Sequence, residues 1–552
     1  MESTPRRRWI ARAGQTLHSK DTSRGGFVAA LCGVAALGVA ALTSPPTALA
    51  APTARNPLVE TASGPVQGLV NGGVFEFLGI PYAAPPVGPL RWQPPQPPAS
   101  WTQPRDATAY GNTCPQNNTL GVFARPSTTE DCLYLNVFTP SPAHGRRPVM
   151  VWIHGGGLFD GESNDYDGSK LALQGDTVVV TINYRLGVLG WLAQPALDAE
   201  GHPFGNYGLM DQQFALQWVR RNIAAFGGDP NDVTIFGESA GGLSVFGNMA
   251  SPTAAGLFQR AISESGAYAL KTTSLATALN DGTGFATAAG CASQTADCLR
   301  SLSVEQILAN QGSYLAGLMV DGTIVPQSLD VAFSSGAFNR VPVINGSNHD
   351  EMRFFVGLPE LASGHALTAA DYPGAIAAQY GANASQVLAQ YPVGNYPSAS
   401  EALSAAESDS IFVCPAHRAD VLLSRWVPVY AYEFNDRTAP SYAPLASFPY
   451  GAAHTFEIQY LFPLYHGGLG TPQPLNAAQE RLSDEMVQYW TSFARTADPD
   501  LSRSWLGELI GDWPPFVPWL DDVQSLQEPF PVTEFNFVQT HNCTFWDALS
   551  GS

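Results

Sequence analysis

The stretch Val233-Thr234-Ile235-Phe236-Gly237-Glu238-Ser239-Ala240-Gly241-Gly242-Leu243-Ser244-Val245-Phe246 sets a β-branched run directly before a Gly-x-Ser-x-Gly sequence and a helix-forming run directly after it. A strand that turns sharply into a helix, with serine at the apex, is the arrangement that lifts a hydroxyl clear of the backbone for nucleophilic attack. The glycines have a physical role. The turn is strained, and neighbours without a Cβ let its two arms close while Ser239 Oγ stands free. The five-residue pattern is weak by itself: a chain this long yields on the order of 0.3 chance matches. Its flanks carry the reading, and they outweigh the alternative of a Gly-rich helix start that binds an anion.

Outward from this point the chain alternates. Pro148–Ile153, Thr177–Asn183, Val341–Asn345 and Val427–Phe434 are near-continuous apolar runs, as in strands buried on both faces. Asp211–Phe226 has apolar residues at helical spacing, and Ser363–Ser408, rich in Ala and small residues, reads as a helical insertion over the sheet. Strands alternating with helices predict an α/β architecture around a mostly parallel sheet. The Pro148–Ile153 run ends in His154-Gly155-Gly156-Gly157, three glycines able to turn N–H groups toward a carbonyl oxygen. Each such donor lowers the barrier to a tetrahedral intermediate by about 3 kcal/mol. A phosphate loop is the weaker reading, because no Lys-Ser/Thr follows and Asp160 and Glu162 would repel phosphate.

The 552 residues carry a formal charge of -20, with 53 Gly, 44 Pro and 45% hydrophobic residues. That composition excludes a disordered chain, and the acidity argues against nucleic acid and anionic membrane surfaces as partners. No repeat or heptad is present. The N-terminus runs the other way. It is basic and polar to residue 26, then apolar or Gly from Phe27 to Leu42, then closes on Ala48-Leu49-Ala50. This order reads as an export signal over 1–50, cut after Ala50, with a twin-arginine type, from Arg6-Arg7-Arg8, ranked second to the general one. The remainder is then expected in a secreted or periplasmic compartment, without stable membrane insertion. It keeps six cysteines. Near neighbours suggest Cys114–Cys132 and Cys291–Cys298, leaving Cys414–Cys543, among 15 formal pairings.

With elbow and Gly-rich loop in order, the chain resembles the type-B carboxylesterase/lipase family, the branch of the α/β-hydrolases that includes cholinesterases. Phe77-Leu78-Gly79-Ile80-Pro81-Tyr82, Glu130-Asp131-Cys132-Leu133-Tyr134-Leu135-Asn136-Val137, Asn206-Tyr207-Gly208-Leu209-Met210-Asp211-Gln212 and Phe226-Gly227-Gly228-Asp229-Pro230 match its motifs, as do Tyr489-Trp490 and Phe493-Ala494-Arg495. The resemblance implies one α/β-hydrolase domain over 51–552, the same three cysteine pairs, and carboxylic-ester hydrolysis. Ser needs a neighbouring base, and an imidazole suits. Chain order in this fold is Ser, acid, His, and Gly451-Ala452-Ala453-His454-Thr455-Phe456-Glu457 resembles the family's histidine motif, so His454 is the expected base. His349-Asp350-Glu351 follows a strand and matches the acid motif, whose second acidic position points to Glu351. The family commonly has Gly next; here Met352 stands.

The expected reaction is two-step acyl transfer. Ser239 is the nucleophile, the N–H groups of Gly156, Gly157 and Ala240 form the oxyanion hole, and no metal or cofactor is needed. Phe159, Phe354 and Phe355 match pocket positions of the family and suggest an apolar cleft for a small-molecule ester. The loop between Cys114 and Cys132 has no Trp, which disfavours choline esters. Its shortness leans toward soluble esters over lipid droplets. The same triad could serve a lipase or an amide, thioester or lactone hydrolase. A non-catalytic binding module is disfavoured by retention of all three residues.

Overall fold

The apolar runs become the centre of one sheet. A computed structural model of the chain describes residues 56–550 apart from 118, 121–124, 143–144, 315, 464, 466 and 501–512; the export segment expected over 1–50 lies outside the described residues. The strands of the main sheet, numbered along the chain, are β1 Leu69–Asn71, β2 Val74–Pro81, β3 Tyr134–Thr139, β4 Arg147–Ile153, β5 Val178–Ile182, β6 Gly228–Glu238, β7 Arg260–Glu264, β8 Val343–Asn348, β9 Val429–Phe434, β10 Val523–Leu526 and β11 Val532–Glu534. Their order across this 11-stranded sheet is β11-β10-β9-β8-β7-β6-β4-β5-β3-β2-β1. From β5 to β10 every pairing is parallel. Antiparallel strands flank this block on both sides.

Every position of β5 and β9 is buried, as is β4 from Pro148 onward. A parallel strand covered on both faces has no solvent side to demand polar residues, so its sequence does not alternate. The predicted helix over Asp211–Phe226 starts a turn earlier, as α1 Tyr207–Asn222, and ends in a 3-10 turn at Ile223–Phe226 stopped by left-handed Gly227. The Ser363–Ser408 region contains three helices, Tyr372–Tyr380, Ala384–Gln390 and Ala399–Ser408.

Parallel strands carry their C-terminal ends to one edge, where clefts in such sheets form. Ile153 of β4 lies level with Gly237 of β6, which lies level with Ser263 of β7. The Gly-rich loop, the elbow and the acidic turn after β8 therefore emerge side by side. Cys114–Cys132, Cys291–Cys298 and Cys414–Cys543 are bonded, with Cα–Cα distances of 4.9, 5.7 and 5.2 Å. Among the described residues no helix is long and apolar enough to cross a membrane.

Candidate active site

Strand β6 ends at Glu238 and the next helix, α2 Ala240–Ala250, begins one residue past Ser239. Ser239 sits between them at φ 57° and ψ -119°. Such a backbone costs a non-glycine residue on the order of 1–3 kcal/mol and persists only where surroundings enforce it. Gly241 shows why the turn can be so tight: a Cβ there would stand 1.9 Å from the Ile153 carbonyl oxygen. The Gly-rich loop is equally crowded. Gly156 has φ 99°, and a Cβ on it would stand 2.0 Å from the Asp160 carbonyl oxygen. Gly157 is left-handed at φ 64°. Phe159 and Asp160 donate their N–H groups back to Gly156 O, closing the loop into a compact turn.

Glu351 is fully buried at the turn after β8. Its Oε1 accepts from Ser265 Oγ at 2.5 Å and from the Asn348 N–H at 2.9 Å. Its Oε2 faces His454 Nδ1 at 2.5 Å. The His454 backbone N–H also donates to the Glu351 carbonyl at 3.2 Å. Asp350 turns away. It contacts Arg353 Nε at 3.1 Å and Arg437 Nε at 2.6 Å, and accepts from the Ala452 N–H at 3.1 Å. Burial works against its charge, but the His349 contact and the two guanidinium groups hold its carboxyl down at about 2. Met352 has φ -87° and ψ -3°, a right-handed conformation open to any residue, so glycine is not required here.

The other nitrogen of His454 has a different neighbour from the one expected. Nε2 lies 3.1 Å from Glu238 Oε1, without hydrogen-bond alignment. Among the described residues, Ser239 Oγ makes no hydrogen bond to the imidazole. The continuous hydroxyl–imidazole–carboxylate line is thus formed on the carboxylate side only. The Glu238 carboxyl oxygen beside the ring occupies space near Nε2. Glu238 is one of a group of buried carboxyls. Burial raises it well above its usual range, and Glu457, Glu351 and Glu264 raise it further. Glu457 is raised in the same way. Burial pushes Glu264 up to about 8, against the hydrogen bond that Trp490 Nε1 donates to it at 2.8 Å. Crowded carboxyls cannot all ionise together. Asn348 links the group by donating its amide to Glu457 and to the Ala453 carbonyl.

Ser239 and His454 both open on a cavity of about 430 Å³, with Gly157, Phe159 and Phe355 also in its wall. The His454 ring lies between Phe355 and Phe412, with centroids 5.2 and 4.7 Å away. Leu318, Met319, Met352 and Ile411 add apolar surface. Phe354 is a correction to the sequence reading. It is fully buried among Phe355, Tyr450 and Phe456, away from the cavity wall. Adjacent helical residues point about 100° apart, and in the helix Arg353–Ser363 it is Phe355 that lies in the cavity wall. Sequence reasoning had no role for Glu238, Glu457, Ser265, Asn348 or Phe412. Two of these stand inside motifs already quoted, Glu238 beside Ser239 and Glu457 three residues after His454.

The family model described as "Carboxylesterase family" matches residues 55–546. The chain is 37% identical over 479 residues to an acylcarnitine hydrolase of Mus musculus, covering 81% of this chain and 84% of that protein. It is 36% identical over 466 residues to a para-nitrobenzyl esterase of Bacillus subtilis (strain 168), covering 80% and 90%. Among solved structures, a thermophilic PNB esterase superposes with a TM-score of 0.75 at 32% identity, covering 88% of this chain and 99% of that one.

Proposed function

We propose, for a chain that belongs to the carboxylesterase family and is a carboxylic-ester hydrolase of α/β-hydrolase fold, that its catalytic groups are Ser239, His454 and Glu351. His454 takes the Ser239 proton as Oγ attacks the ester carbonyl carbon. The carbonyl π pair moves onto oxygen, and the N–H groups of Gly156, Gly157 and Ala240 hold that oxyanion. Collapse of the intermediate expels the alcohol, which takes the proton from His454. Water then attacks the acyl-enzyme with His454 again as base, releasing the carboxylic acid and restoring Ser239. Glu351 selects the tautomer with its proton on Nδ1, so Nε2 is the basic nitrogen. Crowding that keeps Glu238 toward its neutral form prevents it from capturing the imidazolium, so that Nε2 is left to receive the Oγ proton in the reactive arrangement. Such bonds are commonly loose before substrate binds.

The observation that carries this reading is the 2.5 Å contact between His454 Nδ1 and Glu351 Oε2 beneath a cavity that Ser239 shares. The apolar wall favours an ester with a hydrocarbon acyl or aryl group. Residues 51–552 are read as one unit, since a single sheet carries strands from Leu69 to Glu534. Three cystine pairs favour export to an oxidising compartment. Replacement of Ser239 by Ala is expected to abolish turnover of p-nitrophenyl acetate and labelling by a fluorophosphonate. Near-normal rates in that variant would overturn the assignment.

A further inference from the structure

Behind the acidic turn lies a second cluster of chemistry-bearing side chains. One ligand atom each from His349, Glu433 and His541 lies within 4.8 Å of the other two. They come from three places: the turn after β8, strand β9, and the segment after the short helix Phe537–Thr540. Glu433 and His541 are 1% and 3% exposed, while His349 is partly open to solvent and offers a way in.

Two observations distinguish this cluster from a casual gathering of polar groups. Each imidazole already has a carboxylate beside one nitrogen. Asp409 Oδ1 is 2.7 Å from His541 Nδ1, and Asp350 Oδ1 is 3.3 Å from His349 Nδ1. Metal-bound histidines are held in this manner, one nitrogen on the ion and the other on a carboxylate that fixes ring orientation. Secondly, His541 Nε2 and Glu433 Oε1 are already drawn together to 2.7 Å, as an ion pair without hydrogen-bond alignment.

We propose that His349, Glu433 and His541 form a binding site for a divalent transition ion of the zinc class, separate from the ester-cleaving centre. Two imidazole nitrogens and one carboxylate oxygen suit zinc and leave a fourth position for water. Bonds of about 2.0–2.2 Å would hold the ligand atoms roughly 3.4 Å apart, so the widest pair closes by an ångström or so through side-chain rotation. The charge also fits. Arg353 and Arg437 already balance Asp350, which leaves Asp409 and Glu433 facing His541. An ion entering between them would have its charge stabilised by the same carboxylates. The His349 backbone N–H donates to the Phe434 carbonyl at 3.0 Å, so a bound ion would further tie the end of β8, strand β9 and the C-terminal segment together behind Glu351.

The test is calorimetric titration of Zn²⁺ into the chelator-treated full-length protein, with Co²⁺ absorption as a second readout. One ion per chain is expected, with tetrahedral Co²⁺ bands and a rise in Tm that grows with free ion. His349→Ala, at a partly exposed position, should fold normally by circular dichroism and lose at least about tenfold in affinity; Asp409→Asn should lose about 10–100-fold. Absence of binding at millimolar Zn²⁺, or binding with unchanged affinity and Co²⁺ spectrum in His349→Ala, would overturn the proposal and leave His541 as a buried imidazolium paired with Asp409 and Glu433.

Discussion

Replacement of Glu351 by Gln tests the catalytic assignment most sharply, because the surroundings dictate how the amide must sit. Ser265 Oγ and the Asn348 N–H both donate to Oε1. An acceptor is required there, so the Gln carbonyl oxygen takes that place. The amide NH₂ is then forced to the Oε2 position, against His454 Nδ1. It donates where the carboxylate accepted, which moves the ring proton to Nε2. That nitrogen can no longer receive the Ser239 proton, and the imidazolium formed during reaction loses its counter-charge. The same kind of carboxylate-to-amide change in serine hydrolases costs about 10⁴ in kcat, or about 5.5 kcal/mol of barrier at 1.36 kcal/mol per decade. The assay is kcat/KM for p-nitrophenyl acetate on protein whose fold is checked by circular dichroism. Retention of activity within tenfold of the parent would refute the tautomer argument. Asp350→Asn is the internal contrast. It disturbs the contacts to Arg353, Arg437 and Ala452, and should lower Tm more than it lowers kcat/KM.

Two further outcomes follow from single side chains. Met352→Ala removes buried side chain from the cavity wall; it should cost about 2–4 kcal/mol of stability and raise the octanoate-to-acetate ratio of kcat/KM for p-nitrophenyl esters, and an unchanged ratio would remove Met352 from acyl selection. Glu407 is buried with Oε2 unpartnered, and burial raises its carboxyl from 4.5 to about 8. The folded state therefore holds a proton that the unfolded chain has lost. Its contribution is fully favourable below about pH 4.5, declines as pH rises, and reaches its full cost above about pH 8. Glu407→Gln should flatten the Tm–pH curve between those limits, and an unaltered slope would contradict this.

Phe354 and Phe355 show how far a one-dimensional reading reaches. Both are apolar neighbours in a family-like position, and nothing local says which side of a helix will meet the cavity. That is decided by how Arg353–Ser363 packs, with Phe354 among Tyr450 and Phe456. Met352 is similar. Its departure from glycine is visible in the sequence, but the right-handed backbone that tolerates it is a property of the folded turn.

The amino-acid sequence alone determined the strand runs, the elbow and Ser239 as a candidate, while Glu351, His454 and the full set of cysteine pairs came with the family resemblance that its motifs carry. The strands and the elbow are legible because they rest on local chemistry: a strand covered on both faces must be apolar along its length, and a strained turn must have glycine beside it. Only the tertiary structure decided that His454 Nε2 faces Glu238, that buried carboxyls crowd around it, and that His349, Glu433 and His541 converge. Those relations join residues on different elements, and they depend on strand register and loop path, where a shift of one residue would turn every side chain to the other face.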